Sequence, residues 1–115
     1  MSTNTIQITS VKTYPVRVDI KSPVATGYFT GQAKVRSKTE FEALRQAVVD
    51  GEYDGRDEDA LREMYERFDG FGDSDGFAEL LTGEASAYLY PAAINAYFEH
   101  FGEARRGNSG KRRSR

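Results

Sequence analysis

Cysteine is absent from all 115 residues, which excludes disulfide frameworks, thiolate metal sites and cysteine nucleophiles. A reducing compartment, the cytoplasm, suits such a chain. No apolar run approaches the roughly 20 residues that span a bilayer. Residues 1–10 lack the basic and apolar regions of a signal peptide, so neither membrane association nor processing is expected. A phosphate-binding loop is missing too, because Gly27-x-x-x-Gly31 is not followed by Gly-Lys-Ser/Thr. Histidine occurs once, as His100, with no Ser or Cys nucleophile partnered in a recognisable motif. A structural or surface role is expected for it, and the chain reads as no enzyme.

What the chain has is enough for one domain with a modest core: 38% hydrophobic residues, including seven tyrosines and seven phenylalanines. The formal net charge of -2 hides strong segregation. Residues 1–49 hold seven Lys/Arg against three Asp/Glu; residues 50–84 hold thirteen Asp/Glu against three Arg. Two glutamates follow in 85–104, and the last eleven residues carry six bases and no apolar side chain. The reading is a single body over 1–104 and a basic segment, 105–115, expected to be disordered in isolation.

The first third alternates with period 2. Tyr14, Val16, Val18 and Ile20 are set against Pro15, Arg17, Asp19 and Lys21, and Phe29, Gly31, Ala33 and Val35 against Thr30, Gln32, Lys34 and Arg36. Both patterns predict strands with one apolar face, paired antiparallel across the turn-rich 22–27. Ile6 and Ile8 alternate likewise and extend the first strand or form a short third one. At Ser37 the period becomes helical: Ser37-Lys-Thr-Glu40 is a capping box, followed by Phe41, Leu44, Ala47 and Val48 and ended at Gly51. A second helix is expected with Asp57 as its cap and Leu61, Met64, Tyr65 and Phe68 on one stripe. A third covers 77–81 and closes at Gly83. A fourth starts near Pro91, which suits a first helical position, and carries Ile94, Tyr97, Phe98 and Phe101, with Gly102 or Gly107 ending it. The expected class is α+β: an antiparallel hairpin, strands within about 6–36, then about four helices within 38–104.

Two constellations invite chemistry. The run Asp73, Ser74, Asp75, Gly76 resembles part of an EF-hand loop, but the register puts Phe71 at position 1 and Thr82 at position 12, so the entering carboxylate and the bidentate glutamate are missing. An acidic turn is the better account, with no metal or cofactor expected. The acids of 50–84 form a solvated face or a surface for a basic partner, and they repel phosphates, so the body is not expected to bind nucleic acid. The basic segment could add salt-dependent affinity for nucleic acid, dock on an acidic protein surface, or merely solubilise. Tyr88, Tyr90, Tyr97, Phe98 and Phe101 exceed what one face of one helix buries. Tyr97 is the expected exception to burial, its hydroxyl suiting a half-wet interface.

The order of these pieces resembles a known family. An aromatic second strand (Tyr28, Phe29) leads into the capped helix Ser37-x-x-Glu40-Phe41-x-x-Leu44. Then come Tyr65-Glu-Arg-Phe68-Asp-Gly-Phe71 and Asp73-x-Asp75-Gly76-Phe77, and finally Ala93-Ile94-x-Ala96-Tyr97-x-Glu99-x-Phe101 running into Ala104-Arg105-Arg106-Gly107-Asn108. Across residues 27–108 the chain is similar to the tail assembly chaperones of long-tailed, siphovirus-like bacteriophages. That resemblance implies a non-enzymatic protein of the host cell cytoplasm, absent from the mature virion. It would escort the helical tape measure protein and help recruit major tail (tube) protein. A homo-oligomer and a longer frameshifted product sharing the N-terminal body are further features it implies. The candidate protein-binding residues are Tyr65, Phe68, Tyr90, Tyr97, Phe98, Phe101, Arg105 and Arg106. The alternative is a small phage-encoded regulator or host-defence inhibitor that contacts nucleic acid, or a nucleic-acid-binding protein, through its basic tail.

Overall fold

The alternating first third forms two strands, β1 (Thr13–Lys21) and β2 (Thr26–Lys34), paired antiparallel with Val18 opposite Phe29 and Val16 opposite Gly31. The computed structural model describes residues 12–106, with side chains as far as Phe101. Val16, Val18, Ile20, Phe29 and Ala33 are buried on one face, as period 2 requires. The other face carries polar partners: Arg17 pairs with Asp19 at 3.0 Å and lies over the Tyr28 ring. The strand possibility at Ile6 and Ile8 lies outside the described residues.

Helix α1 (Lys38–Val49) begins as expected. Ser37 Oγ accepts from the Glu40 amide at 3.2 Å, and Glu40 Oε1 accepts from the Ser37 amide at 3.1 Å. It buries Phe41 and Leu44. Helix α2 (Asp57–Met64) stops at Met64, and here the structure corrects the expected stripe. Tyr65 turns extended, with φ -130° and ψ 144°, and opens a third strand, β3 (Tyr65–Asp69). β3 adds to β2 antiparallel, giving a sheet of order β1-β2-β3 rather than a lone hairpin. Between Gln32 and Ala33 the register shifts, so that Arg67 opposes Gln32 while Tyr65 opposes Ala33. Glu66 is the extra residue of a β-bulge. The bulge turns Tyr65 and Phe68, three apart, to the same buried face, which imitates helical spacing.

Asp75 caps α3 (Gly76–Thr82) by accepting from the Phe77 amide at 3.0 Å, and the Gly83 amide closes the helix on the carbonyls of Ala78 and Glu79. The last helix, α4 (Ser86–Arg106), starts earlier than expected, so Pro91 stands inside it rather than at its first position. A proline there leaves the Ala87 carbonyl without its helical donor, but the start at Ser86 brings Leu89 into line with Ala93 and Tyr97, all buried. Gly102 does not end the helix. Arg105 and Arg106 belong to its last turn, and Gly107 with the rest of the basic segment lies outside the described residues.

The core lies between the apolar face of the sheet and α4, closed at its ends by α1, α2 and α3. Two tyrosines cross this seam. Tyr65, on β3, donates its hydroxyl to the Ala93 carbonyl of α4 at 2.7 Å; Tyr97, on α4, donates to the Lys34 carbonyl of β2 at 3.1 Å. Each buries an aromatic ring and satisfies its own polar end. Gly31 is part of the same arrangement, because a Cβ there would stand 2.4 Å from the Tyr65 ring.

Candidate functional site

Between α1, the turn of residues 50–56, the start of α2 and the middle of α4 runs a groove of about 460 Å³. Its floor and walls are Val48, Tyr53, Ala60, Tyr90, Pro91 and Ile94; Asp54, Gly55, Asp57 and Asn95 form its polar margin. The turn that builds one wall is held locally. Gly51 and Gly55 take φ of +85° and +75°, values that favour glycine. The Arg56 amide bonds the Tyr53 carbonyl at 2.8 Å, and the Arg56 guanidinium bonds the Glu52 carbonyl and the Asp59 carboxylate. The guanidinium also stands 5.2 Å from the Tyr53 ring centroid. Tyr53 thereby lines the groove from a braced loop, and Asp54 stands at its margin with its carboxylate beside Gly51.

Opposite them stands Tyr90, half-buried on α4. Burial, chiefly, pushes its hydroxyl up to about 12, and the Asp57 carboxylate beside it adds to the shift by its charge and by accepting a hydrogen bond. The expectation that Asp57 caps α2 is corrected here. Arg56 holds the cap position without a side-chain bond, and Asp57 is the first helical residue, free to meet Tyr90. Among the described residues, no Lys or Arg lines the groove. Neither Asp54 nor Asp57 is in an ion pair among the described residues, whereas Glu58 is paired with Arg62 at 2.8 Å and Asp59 with Arg56 at 3.0 Å.

The candidate binding residues divide. Tyr90 lies in the groove. Tyr65 and Tyr97 are wholly buried and Phe68 nearly so; they form the core, and the expectation of a half-wet Tyr97 is overturned because its hydroxyl is used on Lys34. Phe98 and Phe101 are half-buried against Phe41, with ring centroids 5.7 and 6.3 Å from it. Phe101 also lines a small cavity of about 150 Å³ with Arg36, Lys38 and Tyr97. There Arg36 donates to the Glu63 carboxylate at 2.7 Å, while its buried Nε has no partner among the described residues. The side chains of Arg105 and Arg106 lie beyond the last described side chain, Phe101. Sequence reasoning missed Tyr53, Asp54 and Asp57 as site residues; the signal for the first two was the pair of glycines bracketing Glu52, Tyr53 and Asp54.

His100 stacks on Tyr14 at 5.1 Å and meets Phe101 edge-on at 4.7 Å. Among the described residues, no group of three or more His, Asp or Glu gathers where it could hold a metal ion, and no helix is long and apolar enough to cross a membrane. In comparisons with known proteins, no family model, curated protein or solved structure matches the chain.

Proposed function

We propose that this chain is a tail assembly chaperone of a long-tailed bacteriophage, a non-catalytic protein that holds the tape measure protein in the host cytoplasm and helps recruit tail tube subunits. It would leave the assembly before the virion is finished, and a frameshifted longer product would share its N-terminal body. The resemblance across residues 27–108 introduces the reading, and one observation carries it further. The groove at Tyr53, Tyr90 and Ile94 is an apolar surface among helices, of the kind that receives the apolar stripe of an amphipathic helix. A long helical client exposes such stripes until it is packed, and covering them prevents its aggregation.

The test is co-expression of the tagged chain with the neighbouring long, helical reading frame. The expected result is that the client becomes soluble and is retained with the tagged chain through a high-salt wash. A client that remains insoluble, or passes through unretained, overturns the proposal. A salt-sensitive shift of DNA or RNA, lost when the bases of 105–115 are replaced by Gln, would favour the regulator instead.

A further inference from the structure

We propose that the groove between α1, the 50–56 turn, α2 and α4 is a docking site for an amphipathic helix whose apolar stripe is flanked by lysine or arginine. The natural owner of that helix rests on the chaperone reading above; the chemistry of the groove does not.

The occupant's backbone state follows from the walls. Among the described residues, every one that lines the groove belongs to a helix or to the turn, and none to a strand. A ligand in extended form would find no row of unpaired amides and carbonyls to bond, and its own would be buried unsatisfied. A helix brings its backbone bonds with it. The apolar contacts offered to it are the Val48 and Ile94 side chains and the faces of Tyr53 and Tyr90, enough to take the side chains of about two helical turns.

Charge selects which helix. Asp54 and Asp57 stand at the margin with no cation paired to either among the described residues, in a stretch where the nearby arginines are already engaged by Asp59 and Glu58. Asp57 has the neutral Tyr90 hydroxyl against it. A Lys or Arg at the edge of the incoming stripe would meet Asp57 in place of water, and a second one would meet Asp54. A Glu at either place would meet like charge, the nearby Arg56 and Arg62 being engaged by Asp59 and Glu58.

The test uses the full chain and three labelled model peptides of equal length: leucines at i, i+3, i+4, i+7 with flanking lysines, the same leucines with flanking glutamates, and the lysine composition with the leucines scattered. Binding is read by fluorescence anisotropy at low and physiological salt. The basic amphipathic peptide is expected to bind at least about tenfold more tightly than either other peptide. Its affinity should weaken with salt, because the two carboxylates are exposed. The double variant Asp54→Asn, Asp57→Asn is expected to lose most of the salt-sensitive part, and Ile94→Glu to abolish binding. Should Ile94→Glu fail to fold, Tyr53→Ser, at a half-exposed position, replaces it and is expected to abolish binding in the same way.

Equal binding of the acidic or the scattered peptide overturns the proposal, as do variants that bind like the parent. So does a marked gain in affinity when Lys111, Arg112, Arg113 and Arg115 are replaced by Gln, since the chain's own basic segment would then be the occupant. A dimer that Ile94→Glu dissolves would make a second copy the occupant and overturn it equally. If the peptides behave as expected but the tape measure protein is not retained, the chaperone reading fails and the groove stands. If the tape measure protein is retained by Ile94→Glu as by the parent, the reverse holds.

Discussion

Four of the seven tyrosines do two different jobs, and the difference lies in what their rings and hydroxyls meet. Tyr65 and Tyr97 are sealed between the sheet and α4, and each donates to a backbone carbonyl of the element across the seam. Tyr53 and Tyr90 are half-buried in the groove; Tyr53 is braced by an arginine and Tyr90 faces a carboxylate. A sealed hydroxyl must find an internal acceptor with fixed geometry, or the fold loses the bond outright. A groove hydroxyl has water as an alternative, so its partner can be exchanged when something docks. A surplus of aromatics on one helix is therefore no sign of an interface by itself.

That contrast can be broken by mutation, starting with the largest effect. Tyr65→Ala and Tyr97→Ala are each expected to cost about 3–5 kcal/mol. For a domain whose whole stability is about 5–15 kcal/mol, that removes much or all of the urea transition. Tyr90→Ala should shift the midpoint far less, and a Tyr90 cost equal to that of Tyr97 would erase the distinction. Next, Gly31→Ala forces a Cβ into the Tyr65 ring, with an expected loss of about 1–3 kcal/mol in the same measurement. Smaller again is Tyr97→Phe, which keeps the ring but leaves the Lys34 carbonyl without its donor, at about 1 kcal/mol. Tyr90→Phe should be close to neutral because Asp57 regains water, and a loss matching that of Tyr97→Phe would count against an exchangeable partner.

The α+β class, the hairpin, the capping box at Ser37 and the closing glycine at Gly83 were legible because each depends on local pattern. The third strand was hidden by a specific coincidence. Leu61, Met64, Tyr65 and Phe68 satisfy the helical stripe, yet the last two are on a strand whose bulge at Glu66 turns residues three apart to one face. Pairing with β2, and the space over Gly31 for the Tyr65 ring, decide the backbone there, and neither is visible within the window of the stripe. Pro91 misleads for a related reason. Its suitability for a first turn is a local preference, while the burial of Leu89 before it is tertiary and prevails. Of the candidate site, aromatic surplus points to Tyr90; Asp57 reads as a cap and Tyr53 gives no signal of its own, because a groove is made by elements distant in sequence.

The finest distinction is one of pH. Tyr90 has its hydroxyl raised from 10.0 to about 12, mainly by burial and then by Asp57, whereas burial drives Tyr65 higher still. Both shifts favour the neutral phenol in the folded state, so their stabilising contribution is whole below pH 10 and is lost as pH rises through the folded values. Tyr90 should ionise in the intact fold near pH 12, seen as tyrosinate absorbance that vanishes in Tyr90→Phe, while Tyr65 should ionise only with unfolding. Asp57→Asn removes the carboxylate's charge from the causes of the shift. Its expected effect is to bring the Tyr90 titration partway back toward 10.0, leaving the part due to burial in place. A titration unmoved by Asp57→Asn would mean that the carboxylate does not face the hydroxyl. One that returned fully to 10.0 would mean that Tyr90 is not half-buried in the groove, and the line between sealed and exchangeable tyrosines would have to be redrawn.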